Sequence, residues 1–397
     1  MLETIATAPP DPILGLTEAF NADSNPDKVN LGVGIYKDAE GRTPTLDCIR
    51  EAEKIVAAGQ TSGGGYLPMT GLAEYDQLTI DLLFGPASAA VREGRVLAAQ
   101  TPGGTGGLRV AGDFIHAMFP EARIWMSCPT WANHKGIFTA SGIAQESYPY
   151  YDHATGSLDF DGMTAALSKV PAGDVVLLHA CCHNPSGMDP DPAQWKQLAA
   201  LAAERGFLAL FDCAYQGFGD DIDRDVAGLR AFADAGLEML VASSYSKNFG
   251  LYNQRIGAFS VVAPSPDAAM AAMSQAKLCI RVNYSNPPAH GARLVAAVLG
   301  DDSLRARWQT EVAAMRDRIN SVRRKFVETM ASKTDRHDFS FITTQRGMFS
   351  FSGLSTEQVH ALRDKHAIYM VDSGRISVAG LNDHNLERVC SAIASVL

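Results

Sequence analysis

Short apolar runs alternate with helical patterns through the middle of the chain, and no other feature of the sequence constrains the fold as strongly. Between two of these runs, Asp191 can cap a helix that has Pro192 in its first turn. The apolar positions that follow, such as Trp195 and Leu198, share one helix face. A strand, a helix and a second strand joined by short links require a right-handed crossover, which produces a parallel sheet. The predicted strands are residues 123–127, 174–180, 207–211 and 237–242.

The C-terminal part of the chain has a different pattern. A long helix is predicted from about Ser303, because apolar residues recur there at helical spacing. The basic residues of segment 315–326 then lie on its solvent-exposed face. The segments FSFIT (339–343) and MFSFSG (348–353) are predicted to pair as strands. Ser355 and Gln358 resemble a capping box before another helix. Together with the N-terminal segment, these elements predict a smaller α+β unit. The apolar stripe of the long helix consists of Leu304, Trp308, Val312, Met315, Ile319, Val322 and Phe326.

The composition restricts the class of partner. The chain has 397 residues, of which 46% are hydrophobic and 20% charged, as expected of a soluble globular protein with an ample core. Its formal net charge of -10 argues against a general nucleic-acid or anionic-membrane binder. No basic segment precedes an apolar stretch at the N-terminus, and no apolar run approaches membrane-spanning length. A cytoplasmic location is therefore expected.

The seven cysteines do not predict a disulfide framework, because their number is odd and none forms a C-x-x-C pair. The sequence Cys181-Cys182-His183 raises the question of a metal site. Adjacent residues of a regular strand point to opposite faces, so these three side chains are not expected to bind one metal ion together. Buried free thiols are predicted instead, with no metal, and His179 and His183 are predicted to be structural.

Polar side chains follow each predicted strand at its carboxyl end, where ligands of open parallel sheets bind. Each of these side chains alone is compatible with ordinary loop polarity, but their convergence on one rim predicts a site. In chain order they are Trp131, His134, Asn184, Asp212, Tyr215, Ser244, Lys247 and Arg255.

A glycine-rich segment, TPGGTGGLR (101–109), opens a predicted helix. Backbone N–H groups at a helix start, with little side-chain bulk around them, can hold a phosphate. The segment is neither a Walker A loop nor G-x-G-x-x-G, so ATP and NAD are not predicted as ligands. A flexible turn is an equally good interpretation of this segment alone.

Lys247 lies just past the end of a predicted strand, in SSYSKNFGLYNQR (243–255). A lone loop lysine is usually solvated, but burial lowers a lysine pKa and frees a nucleophilic amine. A lysine, an acid, a phenol, an arginine and a phosphate cradle together suit pyridoxal phosphate (PLP). Asp212 is the candidate partner of the pyridine nitrogen, and Tyr215 and Asn184 are candidates for the ring oxygen. Ser244 and Arg255 flank the lysine closely enough to share the phosphate.

Seven motifs resemble the class I, fold-type I PLP-dependent aminotransferases of the aspartate aminotransferase family, most closely its bacterial members. They span nearly the whole chain in the family's order, which makes the resemblance highly specific. The motifs are NLGVGIYKD (30–38), TPGGTGGLR (101–109), CHNPSG (182–187), DCAYQGF (212–218), SSYSKNFGLYNQR (243–255), IRVNYSNPPAHG (280–291) and SGRISVAGL (373–381).

The resemblance implies an α/β fold in which a large domain with a mostly parallel sheet binds the cofactor and a smaller α+β domain completes the subunit. The expected division is an N-terminal arm at 1–11, a small domain at 12–40 and 314–397, and a large PLP-binding domain at 41–313. It also implies a homodimer with shared active sites, acting on amino-acid and 2-oxo-acid substrates.

The implied reaction is ping-pong transamination, in which L-aspartate and 2-oxoglutarate give oxaloacetate and L-glutamate. Two alternatives remain open. One is an aromatic-amino-acid aminotransferase with aspartate side activity, and the other is a PLP-dependent lyase or decarboxylase of the same fold.

The resemblance also assigns roles to individual residues. Lys247 would carry PLP as a Schiff base and move a proton between the substrate and the cofactor. Asp212, with His134 behind it, would pair with the pyridine nitrogen, and Tyr215 and Asn184 would contact the ring oxygen. The phosphate would be held by Gly103, Gly104, Thr105, Ser244, Ser246, Arg255 and, from the neighbouring subunit, Tyr66.

For the substrate, the resemblance implies two arginine contacts. Arg375, with Gly34, Trp131 and Asn184, would bind the α-carboxylate, and Trp131 would also pack on the cofactor ring. Arg281 of the neighbouring subunit would bind the distal carboxylate of a dicarboxylic substrate. From the residues alone, Arg375 stands in a short polar link and is predicted to be exposed.

Two positions depart from the family's pattern. In GGGYLPMTG (63–71), Gly65 lacks the polar side chain expected before Tyr66, and Gln254 replaces a more usual Glu before Arg255. Because Gly65 is expected near the substrate mouth, it keeps the aromatic alternative open.

Overall fold

The computed structural model describes residues 1–8, 14–59 and 64–397. The described chain forms two compact units: unit 1 is Met1–Thr43, Pro185–Gly187 and Arg318–Leu397, and unit 2 is Pro44–Asn184 and Met188–Asp317. Residues 9–11 of the predicted N-terminal arm lie outside the described residues. The predicted arm and domain boundaries remain predictions.

The regular elements of the described residues are numbered in chain order. The strands are β1 (Val29–Asn30), β2 (Val96–Pro102), β3 (Arg123–Cys128), β4 (Ala144–Pro149), β5 (Tyr151–Asp152), β6 (Ser157–Leu158), β7 (Val175–His179), β8 (Leu208–Cys213), β9 (Met239–Ser244), β10 (Ile256–Val262), β11 (Phe349–Phe351), β12 (Ile368–Tyr369) and β13 (Arg375–Ser377). The α-helices are α1 (Leu14–Ala22), α2 (Asp47–Gly59), α3 (Ala73–Phe84), α4 (Ala89–Arg92), α5 (Gly103–Met118), α6 (Asn133–Ala140), α7 (Phe160–Leu167), α8 (Pro192–Arg205), α9 (Ala227–Asp234), α10 (Pro266–Asn283), α11 (Ala289–Leu299), α12 (Asp302–Lys333), α13 (Thr356–His366) and α14 (Leu386–Val396).

The main sheet of unit 2 has seven strands in the order β2-β10-β9-β8-β7-β3-β4. The strands from β9 to β4 pair in parallel, and β10 runs antiparallel to both of its neighbours. All five residues of β7 are buried, as expected for a strand covered on both faces. The predicted mostly parallel sheet is therefore confirmed, and each of its four predicted strands is present with ends shifted by one or two residues.

Helix α8 connects β7 to β8 and begins as the sequence predicts. The Asp191 carboxylate accepts hydrogen bonds from the backbone N–H groups of Ala193 and Gln194, and the Gln194 side chain completes the capping box. The helix ends at Gly206, whose φ of 72° lies in the left-handed region that favours glycine. Both ends of this crossover are thus specified by local sequence.

The core of unit 2 lies where α5 packs on the sheet. Leu108 and Phe114 of α5 are buried together with Leu240 of β9 and Phe259 of β10. Close approach is possible because Gly107 has no side chain, and a Cβ there would lie 2.9 Å from the Ala258 carbonyl oxygen. This packing holds the start of α5 beside the ends of β9 and β10.

We expect Gly257→Ala to destabilise the protein by about 1–3 kcal/mol, the usual cost of overpacking. A Cβ at Gly257 would lie 2.5 Å from the backbone carbonyl carbon of Gly103 and 2.5 Å from the Ser243 carbonyl oxygen, and backbone atoms cannot rotate away. Urea denaturation measures the effect. Gly59→Ala is the control, because none of the described residues lies within 4 Å of its added Cβ. Equal free energies of unfolding in the two variants would contradict this account.

The C-terminal part of unit 1 corrects one prediction. The segment FSFIT does not form a strand, because Ser340–Thr344 is a 3₁₀ helix that buries Phe339 and Ile342, three residues apart. Strand β11 pairs instead with β13, with Phe351 opposite Arg375. A short apolar run has no helix or strand preference of its own, so long-range pairing decided the outcome.

Two other predictions for this region are confirmed. Helix α12 spans residues 302–333, and every member of its predicted apolar stripe is buried. Ser355 and Gln358 form the predicted capping box at the start of α13. Among the described residues, no helix combines the length and the apolar character that crossing a membrane requires.

Candidate active site

Lys247 lies in the turn that follows β9, as the sequence predicts. Its side chain is half-buried, and its Nζ lies 4.7 Å from the centroid of the Tyr215 ring. Tyr215 is itself buried and follows the end of β8. The amine therefore faces an aromatic ring at the rim of the sheet, which differs from the solvated loop lysine of the simpler interpretation.

Asp212 supplies a buried negative charge next to this lysine. Its Oδ2 lies 3.0 Å from Nε2 of His134, which is fully buried. Burial acts to raise the pKa of Asp212, but the hydrogen bond from His134, together with the charge of Lys247, outweighs it. The pKa of Asp212 consequently lies below its ordinary value, and the carboxylate stays ionised near neutral pH.

A chain of hydrogen bonds behind Asp212 determines which proton faces it. His179 accepts a hydrogen bond at Nδ1 from the Asn184 backbone N–H (3.3 Å). Burial lowers the pKa of His179 to about 3, so its ring is neutral and its proton lies on Nε2. That N–H can donate to Thr130 Oγ1 at 3.3 Å, and the hydroxyl can then donate to His134 Nδ1 at 2.8 Å. His134 is left with a proton on Nε2, which it donates to Asp212.

The sequence analysis missed Thr130 and expected only a structural role for His179. Both residues belong to this chain of hydrogen bonds. Thr130 follows the carboxyl end of β3, which is where site residues of a parallel sheet are expected. The packing of Trp131 adds to the arrangement, since its ring meets that of His134 edge-on at 5.2 Å.

A second cluster, the cradle, combines the start of α5 with the turn after β9. Ser244 Oγ donates to Ser246 Oγ at 3.1 Å, and Arg255 Nη1 lies 3.4 Å from the same Ser246 oxygen. A Cβ on Gly103 would lie 2.4 Å from Arg255 Nη2, and one on Gly104 would lie 3.0 Å from Ser244 Cβ. Both positions favour glycine, because Gly103 has a φ of 73° and a Cβ on Gly104 would press on Ser244.

The cradle has the chemistry of a phosphate site. It joins a helix N-terminus, on which Thr105 also lies, to two hydroxyls and a guanidinium. Backbone N–H groups, the positive end of the helix dipole and a guanidinium all favour a dianion.

In unit 1, Arg375 is buried, so the prediction of an exposed arginine in a polar link is wrong. It belongs to β13, and its guanidinium carbon lies 3.9 Å from the centroid of the Phe349 ring. Its Nη2 donates to the Gly32 carbonyl oxygen at 2.5 Å. A Cβ on Gly34 would lie 2.6 Å from the same phenylalanine ring, so Gly34 and Arg375 share one cluster.

Two predicted site residues of unit 2 are exposed. Tyr66 is 94% exposed, and Arg281 is exposed on the last turn of α10, where it donates to Ser285 Oγ. Within the described part of the chain, neither makes a hydrogen bond or ring contact with Lys247, Asp212 or the cradle.

All comparisons with known proteins match this chain to aminotransferases. Residues 26–393 match the family model described as aminotransferase class I and II. The aspartate aminotransferases of Salmonella typhi and Escherichia coli (strain K12) are 51% and 50% identical to this chain, and each match covers 100% of both proteins. A crystal structure of the aromatic-amino-acid aminotransferase of Burkholderia pseudomallei, covalently bound to pyridoxal phosphate, superimposes with a TM-score of 0.96. It is 48% identical, and the match covers 100% of this chain and 99% of that one.

Proposed function

This chain belongs to the aminotransferase class I and II family, and we propose that it is a PLP-dependent aspartate aminotransferase. The proposed reaction is transamination between L-aspartate and 2-oxoglutarate, giving oxaloacetate and L-glutamate. The observation that carries it is the half-buried Lys247 beside the ionised Asp212, on a chain half identical to full-length aspartate aminotransferases.

Pyridoxal phosphate fits the residues present. The cradle matches its phosphate, because two hydroxyls and a guanidinium lie beside the start of α5, where Gly103 and Gly104 add no side-chain bulk. Asp212 matches a protonated pyridine nitrogen, since its carboxylate is buried and ionised. When bound, the cofactor supplies an electron-withdrawing ring that stabilises negative charge at the substrate Cα.

The remaining proposed roles in binding and proton transfer belong to residues of this chain. We assign to the Lys247 amine covalent attachment of the cofactor and movement of the proton at the substrate Cα. Asp212, oriented by His134, keeps the ring nitrogen protonated. Tyr215 and Asn184 are proposed to bind the ring oxygen, and Trp131 to pack on the ring.

Substrate recognition is proposed to rest on two arginines. Arg375, with Gly34, Trp131 and Asn184, would bind the α-carboxylate that all amino acids carry. Arg281 would bind the distal carboxylate of aspartate or glutamate. Arginine suits both tasks, because its two parallel N–H groups match the two oxygens of a carboxylate.

A substrate-pair panel tests the proposed reaction. The holoenzyme is mixed with single amino acids, with and without 2-oxoglutarate, while the absorbance of the aldehyde and amine forms of the cofactor is followed. Aspartate alone should convert the cofactor to its amine form once per site, and adding 2-oxoglutarate should restore turnover. Ammonia or carbon dioxide released from aspartate without a 2-oxo acid would indicate a lyase or decarboxylase instead.

An aromatic-amino-acid aminotransferase with aspartate side activity is the second candidate. It is favoured by Gly65, next to Tyr66, where an added Cβ would meet none of the described residues within 4 Å. The missing side chain is proposed to let a large substrate side chain enter, and the B. pseudomallei relative is named for aromatic substrates. A larger kcat/KM for phenylalanine than for aspartate in the same panel would favour this candidate.

We expect Arg281→Leu to lower kcat/KM for aspartate and glutamate by about a hundredfold or more, and to spare or raise it for phenylalanine. A buried substrate carboxylate that loses its paired cation loses several kcal/mol of interaction free energy. Each loss of about 1.4 kcal/mol lowers kcat/KM tenfold. Steady-state kinetics with the three amino acids measure the change. Arg92→Leu removes another exposed arginine, on α4, and should alter no substrate. Equal losses for aspartate and phenylalanine in Arg281→Leu would mean that Arg281 does not bind the side chain.

We further propose a homodimer in which Tyr66 and Arg281 serve the site of the neighbouring subunit. Helix α10 supports this, because Met270, Leu278 and Val282 are 56%, 60% and 85% exposed at intervals of four or eight residues along one face. An apolar helix face of this kind is typical of a subunit interface. The proposed location is the cytoplasm.

Sedimentation equilibrium of the holoenzyme is expected to give twice the chain mass. Leu278→Asp should shift the protein toward monomer, since a charge would be buried without a partner. Met118→Asp, at an exposed apolar residue of α5, is the control and should leave the mass unchanged. A monomeric wild-type protein at micromolar concentration would contradict the dimer and the shared sites.

A further inference from the structure

A cluster of soft ligands lies buried in unit 2 beyond the end of β7. The thiols of Cys181 and Cys182 and a carboxylate oxygen of Asp225 all lie within 4.8 Å of one another, and all three residues are buried. Sequence reasoning excluded such a convergence on the assumption that the two cysteines lie in a regular strand. Strand β7 ends at His179, and Cys182 adopts a φ of 50°, so the alternation of faces does not apply to them.

Hydrogen bonds to the backbone hold the cluster from two sides. The Asp225 carboxylate accepts N–H groups of Gly217 and Gly219, both at 2.8 Å, and of Asp220 at 2.7 Å. The Asp189 carboxylate accepts the N–H of Cys182 at 2.6 Å, and also that of the following residue. The three ligand atoms are therefore positioned before any ion arrives.

A third thiol, that of Cys213, interacts with this cluster but is not part of the group within 4.8 Å. Cys213 follows Asp212, whose carbonyl oxygen accepts the backbone N–H of Ala180, so Cys213 ends the strand next to the cysteine pair. Its thiol interacts electrostatically with Asp225 and Cys182. Cys213 pairs in register with Ser243 of β9, whose buried hydroxyl has no hydrogen-bond partner among the described residues. The Ser243 hydroxyl is thus available as a further hydrogen-bonding group on this side of the sheet.

We propose that Cys181, Cys182 and Asp225 bind a thiophilic divalent cation of the zinc and cadmium class. In tetrahedral zinc sites, metal–sulfur distances of about 2.3 Å place neighbouring ligand atoms about 3.8 Å apart. The observed cluster reaches that spacing with a small contraction. On binding, the thiols of Cys181 and Cys182 give up their two protons to solvent, and the two resulting thiolates balance the charge of the divalent cation. Magnesium and calcium are excluded, since both require oxygen ligands.

Metal binding at this site would affect the proposed active site through the polypeptide backbone. Cys182 is two residues before Asn184. A contraction around the ion would therefore displace Asn184, which is expected to contact the cofactor, and the bound cation should inhibit turnover.

Cadmium titration of the reduced holoenzyme tests this site independently of activity. One equivalent of Cd²⁺ per chain should remain after gel filtration, with ultraviolet absorption from thiolate-to-cadmium charge transfer. Cys181→Ser and Cys182→Ser should each lose most of that absorption and weaken binding by about tenfold or more. Cys128→Ser, at an exposed cysteine, and Cys390→Ser, at a buried cysteine of unit 1, should behave as the wild type.

X-ray absorption at the cadmium edge keeps the test decisive if the serine variants fail to fold. In the wild-type protein it should show at least two sulfur neighbours around the metal. A shell of oxygen and nitrogen only would overturn the proposal, as would absorption that persists in both serine variants or disappears in Cys128→Ser.

Discussion

Lys247→Ala is expected to lose nearly all turnover, by at least about 10²–10⁴-fold, the contribution typical of a positioned general acid–base group. Its amine is half-buried against Tyr215 and interacts with the Asp212 charge, and the alanine variant has no amine to replace it. The variant should still bind pyridoxal phosphate weakly through the cradle, but without covalent attachment.

Borohydride reduction followed by peptide mass spectrometry measures the attachment. In the wild type, the reduced cofactor should be found on the peptide that contains Lys247, and in the variant on none. Lys196→Ala, at an exposed lysine of α8, is the matched control and should keep both label and turnover. Label on another lysine of the wild-type protein would refute the assignment.

Asp212→Ala is expected to slow removal of the substrate Cα proton by well over tenfold. A charge-assisted hydrogen bond is typically worth about 1.5–3 kcal/mol, and more in a dry site where charge develops in the transition state. The buried Asp212 carboxylate is ionised because His134 donates to it, so it meets both conditions. At about 1.4 kcal/mol per decade, losing it costs one to two decades or more.

Single-turnover kinetics with aspartate isolate this step from product release. Asp212→Glu keeps the charge and should be milder, whereas Asp212→Asn keeps the shape without the charge and should resemble the alanine variant. Unchanged single-turnover rates in Asp212→Ala would remove the carboxylate from the mechanism.

Local sequence determined the elements that carry the site. The alternation of apolar runs and helices predicted the sheet, and the capping box at Asp191 predicted where α8 begins. Because the carboxyl ends of parallel strands meet at one edge, the same pattern placed Asp212 and Lys247 together before any contact was known. These signals act over a few residues, which is why a single sequence carries them.

The tertiary structure decided what depends on distant partners. The bond from His134 to Asp212 joins residues 78 positions apart, and it forms only when α6 and the end of β8 come together in the fold. Arg375 reads as a surface residue until β13 pairs with β11. The cysteines at 181 and 182 diverge on a strand and converge only because β7 ends before them. In each case local preference is weak, and the free energy of long-range pairing and burial determines where the side chain lies.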